Sequence, residues 1–433
     1  IVSNEFKKHG NKVVLIKPDY TENGLPDTDS LLNVFKRVTS LLRSGKAVAC
    51  YTPSIGGIAE AVMKMCFGNL LGFKYNDNLS VSEIFGYCYG GFLLEVNEDI
   101  EDAVQIGEIT ADGKISYNGE EIKLDRLLGI YENKLESVFR CNKQNPETEM
   151  QTFSYEAKKR VSPAIKTAKP KVLIPVFPGT NCEYDSAKAM NDAGAESEIF
   201  VINNLTAENV AKSVEKFANS LKTAQMVFIP GGFSGGDEPD GSGKFITAFF
   251  RNAAVKEQVT ELLNNRDGLM CGICNGFQAL IKLGLVPYGR IIDTDEHCPT
   301  LTYNIIARHQ SKIVRTRIAS NKSPWLSAAE VGDIYSVPIS HGEGRFIADD
   351  KLIKQLAENG QIATQYVDEN GLATNDIRFN PNGSNYAIEG ITSPDGRVFG
   401  KMGHSERYAH DLYKNVPGNY DIKMFRSAVN YFK

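Results

Sequence analysis

"GLMCGICNGFQAL", residues 268–280, decides the fold, because an apolar run ends there in a cysteine and a helical pattern follows at once. The apolar residues that lead to Cys274 predict a buried strand, and the residues from 276 onward have helical spacing. Glycines flank the cysteine in the order Gly272-Ile273-Cys274-Asn275-Gly276. A strand, a turn of small residues and a helix in this order are typical of the sharp turn that exposes a catalytic nucleophile.

The segments on either side of this stretch alternate between strand and helix patterns. Predicted strands occupy residues 171–177, 196–202, 225–230 and 268–274. Predicted helices occupy residues 182–193, 206–221, 244–264 and 276–283. This alternation predicts an α/β fold with a doubly wound, mostly parallel sheet that binds its ligands at the carboxyl ends of the strands.

One change in composition predicts a domain boundary. Residues 141–170 are polar, lack a clear apolar period and contain three prolines, which is typical of a linker or a surface excursion. We therefore expect one domain at 1–140 and a second at 171–433. The first domain carries patterns for both strands and helices, so we predict a mixed α/β fold for it. The chain starts at Ile1, on the approach to a strand, and we expect it to be a fragment of something longer.

Composition favours a cytoplasmic protein that acts on small molecules. The 433 residues are 42% hydrophobic and 23% charged, with a formal net charge of -5 and no sustained basic run. These values argue against nucleic acid or an anionic membrane as a partner. No apolar run approaches the roughly 20 residues that span a bilayer, and no signal peptide is apparent. The eight cysteines are scattered, so reduced thiols are expected.

Three interpretations of Cys274 remain open from the pattern alone: a nucleophile, half of a Cys271-x-x-Cys274 pair, or a small buried residue. A redox pair needs both sulfurs near the start of the helix, whereas the alternation places Cys271 inside the strand. A zinc site lacks a second Cys/His pair with ligand spacing. A second glycine-rich strand exit, "FIPGGFSGGDEPDGSGKF" at 228–245, favours the nucleophile, because its backbone N–H groups are suited to an oxyanion hole.

Several motifs carry a resemblance to a known family. "FPGTNCEYD", "PGGFSGGD", "GICNGFQ", "NIIARHQS", "SHGEGRF" and "HSER" occur in this order. Through them residues 171–433 resemble the glutaminase domain of the phosphoribosylformylglycinamidine synthase family, a class I (triad) glutamine amidotransferase of purine biosynthesis with a flavodoxin-like fold. Residues 1–140 resemble the carboxyl-terminal, aminoimidazole ribonucleotide synthetase-like subdomain of the synthetase core, through "SIGGIAEAVMKMCFGN" and "SEIFGYCYGGFLLEV". This chain lacks two acidic residues of the family loop at 52–57.

The resemblance implies roles for individual residues of the second domain. Cys274 would be the nucleophile, His404 the general base and Glu406 the carboxylate that orients it. The backbone N–H groups of Gly232 and Asn275 would stabilise the oxyanion. The residues implied to bind substrate are Gln278, Gly231, Phe233, Asn304 and His341. Sequence spacing alone cannot choose between the two His-x-Glu pairs, at 341–343 and at 404–406, and only the resemblance assigns the triad to the second.

The resemblance also implies substrates and partners. The glutaminase domain would hydrolyse glutamine without a cofactor or metal. The full enzyme would use ATP and Mg²⁺ to convert formylglycinamide ribonucleotide into formylglycinamidine ribonucleotide, and would need an amino-terminal synthetase region that this chain lacks. Two other classes of function remain: a noncatalytic glutaminase-like module that binds or regulates a partner, and a thiol redox protein.

Overall fold

The structure is a computed structural model that describes residues 2–139, 150–234 and 243–433. Its contacts divide the chain into two units, one comprising 1–140 with 413–416 and the other 141–412 with 417–433. Within the described ranges, none of the helices is both long enough and apolar enough to cross a membrane.

The first unit is built on a seven-stranded sheet in the order β2-β4-β1-β5-β3-β6-β7, in which only β3 and β6 pair in parallel. Its elements are β1 (Lys12–Ile16), α1 (Thr28–Ser44), β2 (Ala47–Tyr51), α2 (Gly57–Phe67), β3 (Gly72–Tyr75), α3 (Val81–Phe85), β4 (Phe92–Val96), β5 (Val104–Thr110), β6 (Lys114–Tyr117), β7 (Glu120–Lys123) and α4 (Leu124–Asn133). The mixed α/β fold predicted for this part of the chain is confirmed.

Strand β1 shows why this sheet is covered on both faces. Successive side chains of a strand point to opposite faces. Val13 and Leu15 belong to the apolar cluster that includes residues of α2, whereas Val14 and Ile16 belong to the cluster that includes residues of α1. The side chains of "KVVLI" therefore pack against apolar clusters on both faces of the sheet. This explains why apolar and polar residues do not alternate along the strand.

The second unit is built on a nine-stranded sheet in the order β14-β13-β16-β17-β18-β11-β10-β8-β9, and β12 and β15 pair separately. Its elements are β8 (Lys171–Val176), α5 (Glu183–Asp192), β9 (Glu196–Val201), α6 (Ala207–Leu221), β10 (Met226–Ile229), α7 (Lys244–Arg251), α8 (Ala253–Asn264), β11 (Leu269–Ile273), α9 (Asn275–Leu283), α10 (Leu285–Tyr288), β12 (Thr300–Tyr303), β13 (Gln310–Ile318), β14 (Ile334–His341), β15 (Glu343–Ile347), α11 (Asp350–Glu358), β16 (Ile362–Tyr366), β17 (Ile388–Thr392), β18 (Val398–Lys401) and α12 (Met424–Tyr431).

The predicted parallel sheet forms the half of this sheet that carries the site. Strands β9, β8, β10, β11 and β18 run parallel to one another, and β17, β16, β13 and β14 extend the sheet by antiparallel pairing. Cys271 in β11 lies between Phe228 of β10 and Phe399 of β18. Every residue of these three strands is buried, which is characteristic of parallel strands covered on both faces. Their carboxyl ends therefore open onto one place.

Two predicted segments differ in detail. The helix expected at 244–264 is divided at Asn252, whose backbone leaves the helical region (φ −56°, ψ 135°). The Asn252 side chain accepts a hydrogen bond from the Ala254 N–H at 3.1 Å, so it caps α8. Apolar spacing continues across this break, which is why periodicity alone predicted one helix.

The described part of the predicted linker, residues 150–170, makes hydrogen bonds to the second unit, for example from the Phe153 N–H to Gln365 Oε1 at 2.7 Å. Residues 141–149 lie outside the described ranges.

Helix α9 approaches β10 so closely that Gly276 has no room for a side chain. A Cβ atom at this position would collide with the carbonyl oxygen of Ile229. We expect Gly276→Ala to lower the free energy of unfolding of the second unit by about 1–3 kcal/mol, because overpacking forces the helix away from the sheet. Denaturant titration measures the loss. The control is Gly129→Ala in α4, where a Cβ meets nothing within 4 Å and should stabilise slightly; equal responses would contradict the close approach.

Candidate active site

Cys274 lies at the sharp turn between β11 and α9. Its backbone has φ 53° and ψ −107°, a conformation that is strained for a residue with a side chain. Its N–H donates to the carbonyl of Lys401 at 2.9 Å, and its own carbonyl accepts from the Gln278 N–H at 3.0 Å. Such strain is typical of a nucleophile elbow, and it persists because the strand and the helix on either side determine the backbone path.

Gly231 lies close to both Cys274 and the imidazole of His404. A Cβ atom at Gly231 would lie 2.6 Å from Cε1 of His404 and 3.4 Å from Cβ of Cys274. A side chain here would therefore displace the histidine ring. The glycine after β10 allows the cysteine and the histidine to occupy the same small region at the carboxyl ends of the strands.

His404 and Glu406 form a buried pair. Nδ1 of His404 lies 2.6 Å from Oε1 of Glu406, and both side chains are almost fully buried. Among the described residues, Nε2 of His404 has no hydrogen-bond partner. Burial acts to raise the pKa of Glu406, but the adjacent His404 outweighs it, so the pKa is lowered overall. The ionised carboxylate favours the tautomer with its proton on Nδ1, which leaves Nε2 as a proton acceptor.

The other His-x-Glu pair is arranged differently. Nδ1 of His341 faces the amide oxygen of Asn304 at 3.2 Å, and the Asn304 amide donates to the His341 carbonyl at 2.8 Å. Burial, together with His404 and His309, lowers the pKa of His341 to about 3, so this ring is neutral at physiological pH. The two pairs thus differ in what orients the ring: an amide for His341 and a carboxylate for His404.

Burial outweighs the stabilisation that the start of α9 can give to a thiolate at Cys274. Burial raises the pKa of the Cys274 thiol to about 12, and Cys182 and Glu406 act in the same direction. The Asn275 N–H and the Arg407 guanidinium act in the opposite direction. Only 3% of Cys274 is exposed, so little water is available to solvate a negative sulfur. At neutral pH the thiol therefore keeps its proton until a base removes it.

The predicted oxyanion donors belong to the loop after β10 and to the start of α9. Thr180 and Gly232 form an isolated bridge, in which the Phe233 N–H donates to the Gly179 carbonyl at 2.8 Å. The N–H of Gly232 takes no part in that bridge, and its φ of 143° is one that favours glycine. Asn275 is the first residue of α9, where backbone N–H groups point out of the helix end. Phe233 itself is 36% exposed beside the site.

Gln278, for which we predicted a contact with substrate, makes two buried hydrogen bonds. Its Nε2 donates to the Glu343 carbonyl at 2.6 Å, and its Oε1 accepts from the Asn275 amide at 2.9 Å. The Asn275 amide oxygen in turn accepts from the hydroxyl of Ser234 at 2.6 Å. Both ends of the Gln278 amide are thus engaged in a buried chain that joins α9, β15 and the loop after β10. Helical spacing alone could not reveal these hydrogen-bond partners.

A second cysteine, Cys182, lies beside the histidine, and the sequence reasoning missed it. Its Sγ is 3.8 Å from Nδ1 of His404 and accepts a hydrogen bond from Nη2 of Arg407 at 3.0 Å. Cys182 belongs to the "FPGTNCEYD" stretch, more than 200 positions from its partners, so no spacing signal connected them. Cys271, the cysteine close in sequence, instead lies inside β11 and is fully buried.

Lys401 connects the cysteine turn to the histidine loop. Its Nζ donates to the Gly403 carbonyl and to the Ser405 hydroxyl, each at 2.9 Å, and lies 3.2 Å from Oε1 of Glu389. The lysine and the glutamate are both fully buried. Since the Lys401 carbonyl also accepts from the Cys274 N–H, one residue positions the backbone on both sides of the site.

We expect Lys401→Met to lower the free energy of unfolding of the second unit by roughly 3–5 kcal/mol, because it leaves the buried Glu389 carboxylate without its cation. Denaturant titration measures this change. The control is Lys322→Met, which removes a lysine that donates to the Asn359 carbonyl near the surface and should cost less than about 1 kcal/mol. A loss of similar size in both variants would contradict a special role for the buried pair.

Comparison with known proteins gives consistent matches to the second unit. The family model described as the CobB/CobQ-like glutamine amidotransferase domain matches residues 169–432. The phosphoribosylformylglycinamidine synthase subunit PurQ of Methanococcus maripaludis is 36% identical over 255 residues, which are 59% of this chain and 87% of the relative. PurQ of Salinibacter ruber is 30% identical over 256 residues, 59% of this chain and 94% of the relative. A chain in the structure of PurLQS from Thermotoga maritima is 26% identical with a TM-score of 0.45, covering 61% of this chain and 100% of that one.

Proposed function

Because this chain belongs to the CobB/CobQ-like glutamine amidotransferase family, we propose that its second unit hydrolyses glutamine with a Cys274-His404-Glu406 triad. The observation that carries the proposal is the 2.6 Å contact of His404 Nδ1 with Glu406, which leaves Nε2 of His404 as a proton acceptor. His404 and Cys274 both lie next to Gly231. The relatives named as phosphoribosylformylglycinamidine synthase subunits support a role for the released ammonia in purine biosynthesis.

In the proposed first step, Nε2 of His404 takes the Cys274 proton as the sulfur attacks the side-chain amide of glutamine. Removal of the proton during the attack suits a thiol whose pKa burial has raised to about 12. The carbonyl oxygen becomes an oxyanion, which the N–H groups of Gly232 and Asn275 stabilise. The protonated His404 then gives its proton to the departing nitrogen, so ammonia and a thioester are formed.

In the second step, His404 accepts a proton from water, and the hydroxide attacks the thioester carbonyl. Collapse of this intermediate releases glutamate and returns the proton to the sulfur. Glu406 stays ionised throughout and holds the imidazole in one tautomer and orientation. The pair therefore acts twice, first to make the nucleophile and then to activate water.

We propose that glutamine binds beside Gly231 and Phe233, with His341 and Asn304 in the wall of the site. A neutral His341 suits recognition of the uncharged amide, because a neutral imidazole can accept a hydrogen bond from it. Gln278 helps to position Asn275, whose side-chain amide donates a hydrogen bond to Gln278 Oε1. Substrate contacts then come chiefly from the loop after β10 and from the end of β14.

We further propose that a synthetase partner consumes the ammonia. In that reaction formylglycinamide ribonucleotide, ATP and Mg²⁺ would be handled by the synthetase, while the glutaminase would need no cofactor. The resemblance of residues 1–140 to part of a synthetase core supports a place for the first unit in the same reaction. The noncatalytic alternative is not favoured, since the family and the Cys, His and Glu groups agree with an enzyme. A redox role based on Cys271 finds no support in a residue buried inside β11.

Replacement of the nucleophile gives the first test of this proposal. We expect Cys274→Ser to abolish glutamate formation from glutamine, because an alkoxide is far harder to generate than a thiolate at this position. Cys271→Ala should retain most of the activity, since it changes only the interior of β11. Peptide mapping after alkylation by a reactive glutamine analogue identifies the sulfur directly. Labelling of Cys182 or Cys271 with Cys274 spared would overturn the assignment.

A second test separates the two histidines. We expect His404→Asn to lower kcat for glutamine hydrolysis by roughly 10²–10⁴-fold, because it removes a positioned acid–base group. His341→Asn keeps a polar side chain beside Asn304 and should reduce the rate far less, with its main effect on KM. Steady-state glutaminase kinetics measure both variants. The opposite order of effects would move the catalytic base to His341.

A further inference from the structure

We propose that Cys182, His404 and Glu406 form an inhibitory binding site for a thiophilic divalent cation, of which Zn²⁺ is the best fit. One sulfur, one ring nitrogen and one carboxylate oxygen of these residues lie within 4.8 Å of one another, and all three residues are buried. The metal site stands on this geometry alone. Only its effect on activity depends on the proposed glutaminase function.

The distances are close to those of a zinc site. Cys182 Sγ lies 3.8 Å from His404 Nδ1, and bonds of about 2.3 Å to sulfur and about 2.0 Å to nitrogen would hold these two atoms about 3.5 Å apart. Oε1 of Glu406 lies 2.6 Å from the same nitrogen, a hydrogen-bond distance that would have to lengthen to about 3.3 Å for both atoms to bind one tetrahedral ion. The other carboxylate oxygen, Oε2, is buried without a hydrogen-bond partner among the described residues. An ion that replaces the Nδ1 proton could therefore bind the Glu406 carboxylate, whose Oε2 is not used by another hydrogen bond among the described residues.

The charges around the site restrict which cation can bind. Burial, together with Glu406, raises the pKa of the Cys182 thiol to about 12, and Arg407, which donates a hydrogen bond to its Sγ at 3.0 Å, acts in the opposite direction. A metal must therefore displace the thiol proton as it binds. The guanidinium charge also opposes any cation that does not gain a bond to sulfur. Mg²⁺ prefers oxygen ligands and octahedral geometry, so it would meet this repulsion without compensation. Zn²⁺ and Co²⁺ bind thiolate and imidazole together and are expected to bind here.

Binding at Nδ1 would disable the base without touching Cys274. The Cys182 thiol loses its proton to solvent as the sulfur–metal bond forms. The lone pair of Nδ1 goes to the metal, so the single proton of the neutral ring moves to Nε2. His404 then presents a donor where the reaction needs an acceptor, and the Cys274 thiol keeps its proton. Removal of the metal by a chelator reverses each of these changes.

Cobalt titration tests the site without any need for glutaminase activity. Co²⁺ bound to a thiolate produces a sulfur-to-metal charge-transfer absorption that oxygen and nitrogen ligands do not produce. We expect this band in the wild-type protein and in Cys274→Ser, and its loss in both Cys182→Ser and Cys182→Ala. Two replacements are used so that the result does not depend on burying a hydroxyl. A band that survives both Cys182 variants but is lost in Cys274→Ser would overturn the proposal, because the metal would then sit on Cys274.

Zinc inhibition tests the consequence. We expect Zn²⁺ to inhibit glutamine hydrolysis reversibly. For each protein, inhibition is measured as the ratio of the rates with and without zinc, and we expect Cys182→Ser to need at least about 10-fold more zinc than the wild type to reach the same ratio. Use of this ratio removes any change in basal activity. The matched control is Cys298→Ser, a thiol outside the site that contacts Asp295 and should leave zinc sensitivity unchanged. Unchanged zinc sensitivity in Cys182→Ser would overturn the proposal, whereas a failure of glutaminase activity alone would leave the cobalt result standing.

Discussion

The hydrogen bond from the Cys274 N–H to the Lys401 carbonyl, 2.9 Å long, is the interaction on which the site depends. It continues the parallel pairing of β11 with β18 by one residue beyond Ile273, into the strained turn. The same residue, Lys401, holds the loop that carries His404 through its buried side chain. Backbone pairing in the sheet and the Lys401 side chain thus position the turn that carries the thiol and the loop that carries the imidazole.

Glycines make this arrangement possible because they leave space where three elements meet. Gly276 allows α9 to approach β10, and Gly231 leaves the gap in which His404 reaches the region of Cys274. The cost is a strained backbone at Cys274, which the surrounding packed sheet and helix must hold in place. The packed parallel sheet therefore maintains a backbone conformation at Cys274 that an isolated turn would not adopt.

Burial has opposite consequences for the ionisable groups of the site. It raises the pKa of the Cys274 thiol and lowers that of His341, so both stay neutral. Glu406 remains ionised because His404 lies against it. The site thus holds one orienting carboxylate in a region of low polarity, where its interaction with the imidazole is stronger than it would be in water. The same carboxylate is one of the three groups that we propose as ligands of a thiophilic metal.

The sequence by itself determined the α/β class, the β-α order around Cys274 and the elbow, because apolar periodicity and flanking glycines are local properties of the chain. Local patterns did not reveal the break at Asn252, where a side-chain cap interrupts an unbroken apolar spacing. Only the tertiary structure showed that an amide contacts the His341 ring and a carboxylate the His404 ring, that Gln278 is hydrogen-bonded to Glu343, and that Cys182 lies beside His404. The contacts of Asn304 with His341, of Gln278 with Glu343 and of Cys182 with His404 join residues 37, 65 and 222 positions apart. The packing of the whole sheet, and not spacing along the chain, decides which of such distant residues meet.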